Sequence, residues 1–312
     1  MTYFLENIKN YFTEIPRPQV VFQVASRYLS GIYFSEKEKK LKYSFILPLP
    51  SGVIQASFDR KNVQDVPYLE EKLKEGLGKL HVSEGSVTCL IPELCLKAFL
   101  FSFNVLPASQ RDKEQIIRWR VQKQFPSLTD DTRFSFNVLP SENGNKILVS
   151  LVRDPVIREY EDFFSRMRLR VKVLTVPVFS LFNLLDREKE KEVLMANVEE
   201  DSISLMAIIN SEMALYRLKP FLLDSRSPAL MDQKIREVIK EIENTVNFIE
   251  DRDKKKISSI LIRLGLMEME GDLWSKLASK ISLALNRIEP SLAPELRSRE
   301  KELLAPLFGQ VL

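Results

Sequence analysis

Ser102-Phe-Asn-Val-Leu-Pro107 and Ser135-Phe-Asn-Val-Leu-Pro140 are one hexapeptide written twice. Between them lies a basic amphipathic segment, Ser109-Gln-Arg-Asp-Lys-Glu-Gln-Ile-Ile-Arg-Trp-Arg-Val-Gln-Lys-Gln-Phe125, closed by Pro126. Proline cannot continue a helix and turns the residue before it toward extended backbone. The block therefore predicts a strand ending at Leu106-Pro107, a helix carrying Ile116, Ile117 and Val121 and stopped at Phe125-Pro126, and a returning strand over 134–139.

Outward from this block the chain alternates strands and helices. Toward the N-terminus, residues 20–24, 30–34 and 42–49 read as three strands. Residues 66–80 have helical spacing (Leu69, Leu73, Leu77), and residues 86–92 return to strand. Residues 1–12 place Phe4, Leu5, Ile8, Tyr11 and Phe12 on one helical face. That face could touch a membrane weakly, although packing on the body is favoured, because only Lys9 offers charge to anionic lipid. Toward the C-terminus the expectation is a strand over 146–153, a helix over 154–167 and a short helix over 179–185. The charge run 188–192 reads as a boundary. Beyond it come three strands (193–197, 202–209, 213–218), a long helix to Glu250, a strand over 257–263 and helices over 272–285 and 297–308. Three strands and then helices, twice over, is a duplicated α/β architecture.

The chain has 312 residues, of which 46 are basic and 43 acidic, a net charge of +3 that leaves no nucleic-acid footprint in the total. No apolar run reaches the roughly 20 residues that span a bilayer, and the start does not read as a signal peptide. Two cysteines, Cys89 and Cys95, and the single His81 make no zinc ligand set. Buried reduced thiols and a cytoplasmic location are expected. Nine glycines in 312 residues is about half the usual frequency, and glycine is what lets backbone approach a phosphate.

The central block, the long helix around 237–248 and the closing segment 304–312 together resemble PilM, the actin-like cytoplasmic component of type IV pilus assembly, and its relatives in type II secretion. The resemblance covers nearly the whole chain and implies an α/β, actin-like (ribonuclease H-like) duplicated fold with an inserted α+β subdomain. Residues 1–98 would be the first half with its N-terminal helix, 99–173 the insertion, 174–190 the return to the first half, and 191–312 the second half. PilM proteins bind ATP between their halves, and each loop can be placed here. The first phosphate loop, Asp-x-Gly-x-x-x-x-Lys in the family, falls on Gln23-Val-Ala-Ser-Arg-Tyr-Leu-Ser30, so Gln23, Ala25 and Ser30 replace its acid, glycine and lysine. The second falls on Asn197-Val-Glu-Glu-Asp-Ser-Ile203, with Asn197 at the acid and Glu199, Glu200 and Asp201 facing the phosphates. Each carboxylate–phosphate pair at ~4 Å costs about 4 kcal/mol at an effective dielectric of 20. The adenosine loop is Arg263-Leu-Gly-Leu-Met267, where Gly265 alone remains and leucines such as Leu264 take the place of the base. No cofactor, no metal and no enzymatic activity are expected.

The resemblance implies a scaffold that holds the N-terminal cytoplasmic tail of a PilN-like membrane protein, peripheral at the inner membrane within an assembly complex. An ATP-binding switch or weak ATPase, and the cytoplasmic domain of a GspL-like secretion protein, are the other readings; whether the chain forms a homodimer stays open. For the partner face the residues are Trp119, flanked by Arg118 and Arg120, and the alternating run Arg166-Met-Arg-Leu-Arg-Val-Lys172 with Arg168 and Arg170. An aromatic among arginines suits an interface anchor, although packing on the neighbouring body suits Trp119 equally. A charge-protected edge strand is the plainer reading of the basic run.

Overall fold

The computed structural model describes residues 18–311 except 140, 142–143, 187–188, 222–227, 268–272 and 291. The helix expected over 1–12 lies outside the described residues. In chain order the first half runs β1 (Val20–Val24), β2 (Tyr28–Ser35), β3 (Lys40–Pro48), α1 (Val66–Leu80), β4 (Gly85–Leu90) and a 3-10 turn, Glu93–Cys95. There follow β5 (Lys97–Phe103), α2 (Gln110–Gln124), β6 (Thr132–Leu139), β7 (Asn145–Arg153), α3 (Asp154–Ser165), β8 (Leu169–Thr175) and α4 (Pro177–Phe182). The second half runs β9 (Val193–Val198), β10 (Ser202–Ile209), β11 (Glu212–Pro220), α5 (Pro228–Asp253), β12 (Ser259–Leu264), α6 (Leu273–Lys280), β13 (Ala284–Arg287) and α7 (Ser298–Phe308).

The two halves repeat one topology. The first sheet has the order β3-β2-β1-β4-β8 and the second β11-β10-β9-β12-β13. In each, the first three strands form an antiparallel meander and the last two run parallel to the first. Central strands are buried on both faces, which is why β1 and β9 are apolar apart from Gln23 and Asn197 near their ends. Val20, Phe22 and Val24 share a core with Leu69, Leu73 and Leu77 of α1, while Val21 packs against Leu304, Leu307 and Phe308 of α7. Fully burying such a side chain contributes roughly 1.5–3 kcal/mol. Helix α1 starts where the Asp65 carboxylate accepts from the Tyr68 amide at 3.0 Å, and stops at His81 in the left-handed region (φ 54°) with its ring against Tyr43.

The third sheet, β5-β7-β6, belongs to the insertion. Here the two hexapeptides part. Ser135 to Leu139 pair along β7 from Ser150 to Lys146, but the first copy leaves its strand after Phe103, which faces Asn145, the first residue of β7. Past that point there is no strand to pair with, so the strand expected to end at Leu106-Pro107 ends early. The insertion is also shorter than residues 99–173, because β8 pairs with β4 in the first sheet and α3 packs on β8. The separate sheet closes at Arg153.

Two further expectations change. The helix expected over 272–285 is cut to α6, and Ala284–Arg287 joins β12 in parallel, with Leu285 opposite Ile260. A free strand edge there outweighs local helical preference. The basic run 166–172 is not one extended face: Arg166 caps α3 and pairs with Glu70 at 3.0 Å, and Arg168 turns the chain at φ 58°. Arg170 and Lys172 are exposed on β8, an edge strand. Both cysteines are buried free thiols, and burial pushes Cys95 up to about 12.

Candidate functional site

The turn after β1 and the turn after β9 occupy equivalent places in the two sheets and meet across the cleft. Gln23 Nε2 donates to Glu199 Oε1 at 3.0 Å and to the Tyr28 hydroxyl at 3.0 Å. The Ser26 hydroxyl donates to Asp201. Both hairpins turn tightly: the Ala25 amide donates to the Tyr28 carbonyl at 2.9 Å and the Glu199 amide to the Ser202 carbonyl at 2.9 Å. One backbone donor of each turn is thereby used within it.

Arg263, near the end of β12, stands between them and is fully buried. Its Nη1 donates to Asn197 Oδ1 at 2.8 Å and pairs with Glu199. Nη2 donates to the Tyr28 hydroxyl at 2.6 Å and to the Leu303 carbonyl at 2.9 Å, and Nε to the Glu302 carbonyl at 3.0 Å. A guanidinium has five N–H donors, and these five contacts use them all. One side chain joins β2, β9, the turn after β9 and α7. A buried charge is tolerated only when paired and hydrogen-bonded in this way.

Burial opposes the charge on Arg263, but Glu199 and Tyr28 more than offset it and hold its pKa above the ordinary arginine value. Burial raises Glu199 and Asp201 above the usual carboxylate range, against the pull of Arg263 on the first and of the Ser26 and Ser202 hydroxyls on the second. Glu93 lies behind this cluster. Its Oε1 accepts from the Val178 amide at 3.0 Å, near the start of α4, and from Asn197 Nδ2 at 2.7 Å. Burial pushes its pKa up to about 8, so it is mostly protonated at neutral pH. Lys234 of α5 is buried against Glu200, donating to that residue's carbonyl at 2.6 Å, and burial lowers its pKa.

Of the positions aligned with nucleotide loops, the structure brings Gln23, Asn197, Glu199 and Gly265 into this one cluster. A Cβ on Gly265 would lie 2.4 Å from Glu199 Oε2 and 2.6 Å from Arg263 Nη1, so the glycine makes room for the ion pair. Ala25 packs with Tyr28 and Leu303. Ser30 is buried within β2. Leu264 and Leu266 belong to the second core, and the gap they share with Met231, Ile235 and Leu273 has a volume of about 10 Å³. Tyr28, Glu93, Lys234 and the central role of Arg263 were not read from the sequence, since nothing local marks an arginine that will be buried by strands and a helix distant in the chain.

The partner-face residues lie in two separate places, helix α2 of the insertion and the start of β8 in the first sheet. Trp119 is 61% exposed on α2 beside Lys123, while Ile117 and Val121 of that helix face the small sheet. Arg118 pairs with Glu114 at 3.1 Å and lies over Phe134; Arg120 lies over Phe101 and Phe103. Arg168 and Arg170 belong to the turn before β8 and to β8 itself.

Two five-stranded sheets of one order, meeting at equivalent turns and carrying a small inserted sheet, define the actin-like fold expected from the sequence. A solved PilM–PilN type IV pilus biogenesis complex contains a chain similar to this one with a TM-score of 0.76, at 17% identity, over 95% of this chain and 97% of that one. The cytoplasmic domain of EpsL, an inner-membrane component of the type II secretion system of Vibrio cholerae, matches with a TM-score of 0.54 at 11% identity, over 93% and 94%. A Bacteroides thetaiotaomicron protein of actin-like ATPase fold and unknown function matches with a TM-score of 0.53 at 9% identity, over 94% of each chain. No protein-family model and no curated protein sequence matches the chain. The PilM-like architecture inferred from the central block is thus the architecture found. Among the described residues no helix is long and apolar enough to cross a membrane.

Proposed function

We propose that this chain is a non-catalytic, PilM-like scaffold that binds the cytoplasmic N-terminal tail of a PilN-like inner-membrane protein in a type IV pilus or related secretion machine. The observation that carries the non-catalytic part is Arg263, whose five donors are all committed to protein groups between the two turns. The residues present do not fit a magnesium nucleotide. Glu199 and Asp201 set carboxylates where the resemblance would put phosphates, the Ala25 and Glu199 amides are engaged within their turns, and Gln23 replaces the first acid. Lost nucleotide binding is part of this proposal.

The partner part is supported by the likeness to a chain of the PilM–PilN complex and by the exposed Trp119 among Arg118 and Arg120. Arg168 in the turn before β8 and Arg170 on β8 would be a second, separate contact with the same tail or its assembly complex. The protein would sit at the cytoplasmic face of the inner membrane through that partner. Weak lipid contact by residues 1–12 and a homodimer are subsidiary parts, read by vesicle flotation and by light scattering. An ATP-binding switch is the second reading, favoured by the fold alone; a GspL-like secretion role is the third, favoured by the EpsL likeness. Capture of a synthetic PilN-like tail by the purified chain tests the scaffold reading: submillimolar binding supports it, and none at millimolar concentration refutes it.

A further inference from the structure

Strand β5 ends the small sheet, and, among the described residues, 97–103 hydrogen-bond through their backbone to β7 alone. Its outer edge lines a groove of about 710 Å³, within the roughly 300–1,000 Å³ of ordinary ligand sites. One wall is β5, with Ala98, Leu100 and Ser102; the other is the β10–β11 hairpin, with Ile209, Leu215 and Tyr216. That hairpin ends in β11, the edge strand of the second sheet. Lys146, the register partner of Ser102, reaches Glu212 at 2.7 Å and ties the two walls together at that end. The C-terminus of α5 adds Arg252, Asp253 and Lys255. Lys254 and Lys256 are exposed chain neighbours of Lys255 outside the groove's lining, and none of the three lysines makes an ion pair among the described residues.

An open strand edge presents a row of unpaired N–H and C=O groups that another extended chain can satisfy and a helix cannot. Residues 98–102 offer about 17 Å of such edge. The half-buried Leu100 and Leu215 supply apolar contact, and Lys255 supplies positive charge in the lining, with the exposed Lys254 and Lys256 next to it in the chain. We propose that this groove takes an extended acidic segment of a partner protein as a strand added to β5, with its carboxylates toward Lys254, Lys255 and Lys256. The inference goes beyond the proposed scaffold reading, because the groove needs the second half of the molecule and uses none of Trp119, Arg118, Arg120, Arg168 and Arg170.

The test uses the whole chain and a fluorescein-labelled peptide, Asp-Val-Asp-Leu-Asp-Val-Asp-Leu, with a control in which lysine replaces aspartate. Anisotropy should show binding of the acidic peptide at submillimolar concentration and none of the control. Hydrogen exchange should slow at residues 98–102. The triple variant Lys254→Glu/Lys255→Glu/Lys256→Glu, confined to exposed positions, should weaken binding by about tenfold at an unchanged melting temperature. Ser102→Trp, placed at an exposed edge position, should block it. Binding that leaves the exchange of residues 98–102 unaltered overturns the proposal. So does equal binding of the lysine control, indifference to the lysine reversals or to Ser102→Trp, or no binding at millimolar concentration.

Discussion

Arg263 Nη2 donates to the Tyr28 hydroxyl at 2.6 Å, linking residues 235 positions apart across the cleft between the two sheets. Tyr28 belongs to the first half and Arg263 to the second, and neither is exposed. Buried hydrogen-bonded ion pairs lose far more when one partner is removed than when both are replaced. Arg263→Met should therefore cost about 3–5 kcal/mol in urea unfolding, because Glu199 is left buried and unpaired. The double variant Arg263→Met/Glu199→Gln should cost less than the two single changes summed. Additive losses would mean that the pair is not coupled.

Gly265→Ala tests the same cluster from its edge. The added Cβ would meet Glu199 and Arg263, and overpacking of this kind costs about 1–3 kcal/mol. Gly78→Ala is the control: its Cβ meets nothing within 4 Å in α1, and alanine there should stabilise by up to about 1 kcal/mol. Thermal unfolding of the two variants should move in opposite directions.

Glu93 gives stability a pH dependence of definite sign. Its pKa is raised from 4.5 to about 8 in the folded chain, so between those values the native state holds a proton that the unfolded chain has released. The stability contributed by the protonated form is complete below about 4.5 and is lost as pH rises through about 8. Glu199 and Asp201, also raised, act in the same direction. Glu93→Gln should flatten the decline, leaving the variant relatively more stable at pH 8.5 than at pH 5. A parallel pH profile in both proteins would remove Glu93 as a source.

On the partner face, Trp119→Ala/Arg120→Ala should weaken capture of a PilN-like tail. The arginine lies over Phe101 and Phe103, so its loss should also cost about 0.5–1 kcal/mol of stability. Trp119→Ala alone is the cleaner variant and should leave the melting temperature unchanged. Full capture by that variant would move the tail to another surface.

Most of the strand–helix order could be read from pattern, because buried central strands such as β1 and β9 are largely apolar runs and α1 carries its own cap and proline. The missing glycines of the cleft were legible as absences. What occupies the cleft was not, since Arg263, Tyr28 and Glu302 meet only through the closure of both sheets on α7. The hexapeptide pair shows the same limit in small compass. Identical residues are strand to Leu139 in one copy and leave the sheet after Phe103 in the other, because pairing partners, not local preference, decide where an edge strand ends.

The central claim is the proposal that the chain takes no nucleotide, because Arg263 and its partners fill the space between the two turns and the cavity of about 350 Å³ beside them is lined by Glu200 and Asp201. Isothermal titration of the purified full chain with Mg·ATP tests it most directly. The account predicts no binding up to millimolar nucleotide; a micromolar dissociation constant would contradict it.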